Sequence, residues 1–328
     1  MLNDKLKLNP KLFDKDVDMD ATRTGFGKGL LALGDSDPNV VALCADLTES
    51  TKVEEFAKKY PDRYFEAGVA EQNMVAMAAG LGVSGKTAFI ASYATFSPGK
   101  NWETIRTTVA YNNSNVKIAG HHSGLMTGPD GATHQATEDV ASVRAWPNMQ
   151  VIVPCDSIEA EKATIAAGKI DTPVYLRFSR DKSPIMTTKE TPYDGKIQQF
   201  FLTDSPQVVI FGMGWLLYQA LLAAKELEEE KINVIVANVA SVKPIDEETL
   251  ISLAKQTGAV VTVEDHQAAG GLGGAIAEVL ARNLPTPMEF IGLQDTFGES
   301  GTPIELIKKY KMDKDAIKEA VKKVIGRK

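Results

Sequence analysis

Apolar residues fall in short runs at regular intervals along the first half of the chain: VVALCA at 40–45, KTAFIAS at 86–92, NVKIAG at 115–120, MQVIVP at 149–154 and PVYLRFS at 173–179. Each has the length of a strand. The stretches between them, at 71–82, 101–111, 136–145 and 157–168, place apolar residues at helical spacing. Strands alternating with helices at this interval predict an α/β fold with a mainly parallel sheet covered on both faces.

Residues 181–206 break the rhythm with prolines, threonines and charges and show no long periodic face. The strand runs then restart at 207–214, 232–239, 259–265 and 288–293, with helical stretches at 216–229, 246–255, 272–282 and 302–325. The pattern predicts a charged leader at 1–20, a first domain at 21–190 and a second, smaller α/β domain at 191–328. No fixed period of 20 to 50 residues is visible, which argues against a solenoid.

A chain of 328 residues is long enough for two such domains. Hydrophobic residues at 44% and charged residues at 24% have the balance of a globular enzyme. The net charge of -7, with no basic cluster, gives no footprint for nucleic acid or an anionic membrane. Cys44 and Cys155 each end an apolar run and are expected to be buried thiols. The opening residues lack the apolar core of a signal peptide, and no run reaches the roughly 18 apolar residues of a membrane span. A cytoplasmic location is expected.

Polar residues concentrate where strands end, the usual place for ligands in open α/β sheets. Glu71 opens a helix made almost wholly of apolar and small residues. It is either a charge answering the helix dipole or a partly desolvated acid suited to proton exchange. Asp46, Thr48 and Ser50 follow a buried strand, and turn formation is their simplest role. Residues 121–139 place His121, His122, Asp130 and His134 among Gly124, Gly128 and Gly131, so three of the four histidines share one loop. The glycines mark a loop close to a ligand. Metal binding competes as an explanation, but the spacing matches no standard zinc site and no cysteine is near. Tyr93, Phe96 and Trp102 surround a strand-to-helix connection, where aromatics usually belong to the core. Arg23 and Arg180 read alone as surface charges. The glycines at 270–274 come late in the chain and lack the acid of a dinucleotide fingerprint, so they read as a tight turn into a helix.

The segment GVAEQNM at 68–74, with the helix that follows, resembles the pyrimidine-binding helix of the transketolase family. Further segments match in the family's order from about Ala21 to the end of the chain: ADLTES at 45–50, HHSGLMTGPDGATHQ at 121–135, and the stretch from Tyr93 to Arg106 that ends WETIR. By this resemblance Glu71 hydrogen-bonds the aminopyrimidine ring of thiamine diphosphate and drives its imino tautomer. Asp46 lies near the cofactor, and Tyr93 and Phe96 sandwich the ring. Arg23, Ser50 and Arg180 grip the substrate phosphate. His122 and His134 contact the sugar phosphate or its hydroxyls, with His134 also catalytic, while Asp130 reads the hydroxyl next to the carbonyl. The second domain then serves subunit contacts more than chemistry.

In that family the diphosphate is held by a metal, Mg2+ or Ca2+, through a G-D-G motif and a later asparagine. The only G-D here, Gly34-Asp35, is followed by Ser36. The resemblance therefore implies the carboxy-terminal subunit of a split transketolase, with metal ligands on an amino-terminal partner and none on this chain. It further implies an α2β2 assembly with the cofactor at the interface. The implied reaction moves a two-carbon ketol unit between ketose and aldose phosphates of the pentose phosphate pathway. Two alternatives are the β subunit of a thiamine-dependent 2-oxo acid dehydrogenase, which normally lacks the D-G-x-T-H-Q loop, and a noncatalytic relative. A fragment of deoxyxylulose phosphate synthase fits less well.

Overall fold

In the computed structural model, which describes residues 1–328, the first half of the chain supplies strands β1 (Met19–Asp20), β2 (Val40–Cys44), β3 (Tyr64–Glu66), β4 (Thr87–Tyr93), β5 (Val116–His121), β6 (Gln150–Ile152), β7 (Val174–Arg177) and β8 (Ser183–Pro184). The second half supplies β9 (Gln198–Phe201), β10 (Val208–Gly212), β11 (Val234–Asn238), β12 (Ser241–Lys243), β13 (Val260–Gln267) and β14 (Met288–Leu293). Strands β6-β7-β5-β4-β2-β3 lie side by side and all pair in parallel. A second sheet runs β14-β13-β10-β11-β9, parallel except at its β9 edge. The chain is thus α/β with two parallel-sheet domains, as the alternation of runs predicts.

Every residue of β2, β5 and β7 is buried, because helices cover both faces of the sheet and leave no wet side. On one face the helices Thr22–Ser36 and Ser157–Gly168 pack closely. A Cβ on Gly25 would stand 1.9 Å from the carbonyl oxygen of Ser157, so only glycine allows this approach. The helix Glu71–Val83 covers the opposite face with Met74, Val75, Ala78 and Ala79.

The two sheets are not independent. Strand β12, from the second half, pairs antiparallel with β6 and extends the first sheet. One apolar cluster runs from Val41, Val75 and Ile118 to Val209, Leu272 and Leu280, so both sheets share a core. Residues 1–20 are likewise part of the packed structure: Leu8 and Leu12 are buried with Phe200, Phe201 and Met186, and β1 pairs with β8. The stretch 302–325 differs from the single helix that its periodicity suggests. It forms Pro303–Lys309 and Lys314–Ile325, with Asp313 accepting from the Ala316 amide to start the second. Cys44 and Cys155 are buried and unpaired.

Candidate active site

Strands β7, β5, β4, β2 and β3 are consecutive neighbours, and most of the site residues singled out in the sequence follow the carboxyl end of one of them, whereas Arg23 lies in the first turn of the helix Thr22–Ser36. Arg180 follows β7; His122, Asp130 and His134 follow β5; Tyr93 ends β4 and Phe96 comes just after it. Asp46 and Ser50 follow β2, and Glu71 opens the helix after β3. Parallel pairing therefore gathers residues spread over more than 130 positions at one edge, the place where such sheets bind ligands.

Four rings meet there. Tyr93 stacks on His122 with ring centroids 3.8 Å apart, and Phe96 meets His134 edge-on at 5.5 Å. Tyr93 and Phe96 lie 5.9 Å apart and 19° from parallel, as an offset stacked pair. A third ring between them needs about twice the thickness of an aromatic ring, roughly 7 Å, so the two-sided slot expected of this pair is not open between them. They form one aromatic shelf instead, with His122 stacked on Tyr93 and His134 at the edge of Phe96. His122 takes a left-handed conformation with φ 52°, and its carbonyl accepts a 2.6 Å bond from the Thr127 hydroxyl.

Positive charge surrounds this shelf. Arg23 donates to the Ser50 carbonyl at 2.8 Å, and Arg180 donates to the Thr127 carbonyl at 2.8 Å and lies 3.4 Å from Asp130. Burial, and then the nearby Arg180, pull the Arg23 guanidinium below its usual range. Burial followed by both arginines drives His122 down to about 3, so its imidazole is neutral at physiological pH. The Arg23 Nε and His122 Nδ1 atoms are buried without a partner in the chain. Two guanidiniums that disfavour each other, with the Arg23 Nε unspent beside a neutral imidazole, are groups that can receive an anion. His121 points the other way. It is wholly buried between Phe26 and Phe178, at 4.9 and 5.1 Å, and burial lowers it well below the ordinary histidine range.

Glu71 is buried, and its Oε2 accepts a 2.9 Å bond from Lys100. Asn101, also buried, donates from Nδ2 to the Glu71 carbonyl at 3.2 Å. Neither partner stands out in the sequence, because each lies about 30 residues from Glu71 on another element. Glu66 is a further residue that sequence reading passes over. Its carboxylate accepts from the amides of Asp46 and Gly68, both at 2.8 Å, and from the Tyr64 hydroxyl at 2.8 Å. Burial pushes Glu66 up, but these donors outweigh it and hold the group below the usual range. Glu66 thereby fixes the Asp46 turn, where φ is 59°.

The second domain braces the histidine loop. Asp265 on β13 accepts from the amides of Leu125 and Met126, and Gln135 donates to the Glu299 carbonyl at 3.0 Å. Arg177 joins Asp139 at 2.8 Å and the Asp265 carbonyl at 2.8 Å. Gly270 and Gly271 lead into the helix Leu272–Asn283, which contains Gly273 and Gly274 and whose first amides, Leu272 and Gly273, are capped by the buried Glu264.

These residues fit one end of thiamine diphosphate. A buried carboxylate whose Oε1 accepts no bond within the chain, close to aromatic faces, suits an aminopyrimidine ring. No helix is long and apolar enough to cross a membrane.

The fold and site define a two-domain α/β protein with paired arginines and a buried acid near the strand ends. Residues 18–185 match the family model "Transketolase, pyrimidine binding domain" and residues 200–317 match "Transketolase, C-terminal domain". A putative transketolase C-terminal section from Methanocaldococcus jannaschii is 43% identical over 297 residues, covering 90% of this chain and 93% of the relative. The 6-deoxy-6-sulfo-D-fructose transketolase subunit SqwH of a Clostridium species is 37% identical over 91% of this chain and 92% of its own length. A solved structure described as a split gene transketolase, inactive beta4 tetramer, superposes with a TM-score of 0.87 at 42% identity, covering 93% of this chain and 98% of that one. The chain belongs to the transketolase family, and its relatives include subunits of the split form.

Proposed function

We propose that this chain is the carboxy-terminal subunit of a split, cytoplasmic transketolase and supplies one side of an active site that an amino-terminal subunit completes. The observation that carries the reading is the convergence of Arg23, Arg180, His122 and Tyr93 at the strand ends, beside a buried Glu71. Thiamine diphosphate, when bound, supplies the nucleophilic carbon and the electron sink for ketol transfer. Its metal, Mg2+ or Ca2+, is assigned to ligands on the partner.

The chain's own residues then bind, orient and move protons. Glu71 holds the ring nitrogen and exchanges a proton through its carboxylate. Tyr93 and Phe96 offer flat apolar faces to the ring, and Asp46 lies at the cofactor end of the site. Arg23 and Arg180 clamp a sugar phosphate with the help of Ser50, their planar forks matching phosphate oxygens. His122 stays neutral and offers a nitrogen to a hydroxyl, while His134 binds and exchanges a proton at the sugar oxygens. Asp130, held by Arg180, reads the hydroxyl configuration next to the carbonyl.

The proposed donors and acceptors are pentose phosphate pathway sugars, and the proposed assembly is α2β2. The relative named for a sulfonated fructose recommends testing phosphorylated and sulfonated ketoses side by side. The decisive assay mixes this chain with a partner carrying the diphosphate-binding domain and follows thiamine-dependent ketol transfer. Transfer by the mixture and not by either chain supports the proposal. Association without transfer favours a noncatalytic relative, and a pyruvate-dependent signal favours a 2-oxo acid dehydrogenase.

A further inference from the structure

Glu71 has a cation already seated on it. Its side chain is 3% exposed, whereas that of Lys100, whose ammonium lies 2.9 Å from Oε2, is 48% exposed. This is the one hydrogen bond within the chain to either carboxylate oxygen, and Lys100 has no other ion pair. A buried carboxylate without a cation carries a heavy desolvation cost, so the ammonium stabilises the charge on Glu71. A ring nitrogen can reach the free Oε1, but while the ammonium stays on Oε2 the two donors share one carboxylate, and the cation weakens its hold on the ring.

The two neighbours Lys100 and Asn101 differ in their freedom. Asn101 is buried, and its Nδ2 spans the Glu71 carbonyl and the Ser97 hydroxyl, each at 3.2 Å, which fixes this segment to the start of the Glu71 helix. Lys100 holds a strongly hydrated ammonium on a flexible four-carbon stem at the edge of solvent, and it can withdraw into water without moving the backbone. Phe96, on the same segment, stacks beside Tyr93 and makes no contact that depends on the Lys100 ammonium.

We propose that Lys100 is a latch on Glu71: its ammonium occupies the carboxylate in the ligand-free chain, and an aminopyrimidine ring displaces it to solvent. This deepens the function proposed above and rests on the assignment of Glu71 as the ring-binding acid. Lys100 is a positioning residue in this account, and its removal has two effects of opposite sign. The ligand-free chain loses a partner for a buried charge and becomes less stable, while the ring no longer has to evict a cation.

The test uses Lys100→Met and Lys100→Gln, with Lys100→Arg as the charge-conserving control. Thermal melting is measured on the isolated chain, and thiamine diphosphate with magnesium is titrated calorimetrically into the chain reconstituted with its partner. The latch predicts a lower Tm together with about fivefold tighter binding for Lys100→Met and Lys100→Gln, and values close to the unmodified chain for Lys100→Arg. A purely supporting Lys100 predicts that stability and affinity fall together, and unchanged or weaker binding in both neutral variants overturns the latch. If the unmodified pair binds no thiamine diphosphate, the assignment of Glu71 falls and takes the latch with it, a result distinct from an unaltered affinity in the variants.

Discussion

The carboxylate of Asp265 accepts a 2.8 Å hydrogen bond from the amide of Leu125, 140 positions earlier in the chain. Its other oxygen accepts from the Met126 amide at 3.3 Å and the Trp215 indole at 2.8 Å. A Cβ on Gly124, whose φ is 71°, would stand 2.2 Å from this carboxylate, so the loop is pressed directly onto β13. The second domain thus sets the path of the loop that carries His122, Asp130 and His134. Asp265→Ala leaves three buried donors unsatisfied and is expected to cost about 2–4 kcal/mol of stability. Chemical denaturation and amide exchange at residues 124–127 measure the effect, and exchange as slow as in the unmodified chain would contradict it.

The two arginines make a separable prediction. Burial and Arg180 together disfavour the charge on Arg23, a cost that an anion between them relieves. Replacing both with methionine in the reconstituted pair is expected to raise KM for phosphorylated sugars by about 100-fold or more, from two charge-assisted contacts of about 1.5–3 kcal/mol each. Unphosphorylated analogues should be nearly unaffected. An equal loss on both kinds of substrate would remove the phosphate role.

Another buried acid contributes to the dependence of stability on pH. Glu159 accepts from the Cys155 amide at 2.7 Å and from Asn238 at 2.8 Å, and burial, then the neighbouring Asp156, push it up to about 7. The folded chain keeps this proton at pH values where an unfolded chain, with a glutamate near 4.5, has lost it. Its stabilising effect is therefore complete below about pH 4.5 and is lost as pH rises through about 7, a change on the order of 3 kcal/mol. Glu159→Gln should gain on the unmodified chain by this amount between pH 4.5 and 7.5. Urea midpoints measured across that range test it, and a constant offset between the two proteins would count against it.

The strands β2, β4, β5 and β10 were legible because a parallel strand buried on both faces must be apolar almost throughout. The three-residue β12 was not, since its pairing with β6 depends on contact between halves of the chain. The candidate site residues were picked out by motif order, but the partners that the structure gives them were not. Lys100, Asn101 and Glu66 act through bonds that span 20 to 30 positions, and no local pattern marks such pairs. Asp265 lay in a segment whose glycines were legible as a turn, while its hold on Leu125 appears only when the two sheets pack. Tyr93 and Phe96 were identifiable as aromatics at a strand end; their mutual stacking follows from the irregular helical turn at Thr95–Lys100, where Ser97 leaves helical geometry.

The shared active site is tested most directly by titrating thiamine diphosphate and magnesium into the purified chain, into its purified partner and into the mixture, with bound coenzyme read by calorimetry. The account predicts tight binding in the mixture only, and its loss when Glu71→Ala replaces the unmodified chain in a pair that still associates. Tight binding by this chain alone, or full affinity and turnover in the Glu71→Ala pair, would contradict it.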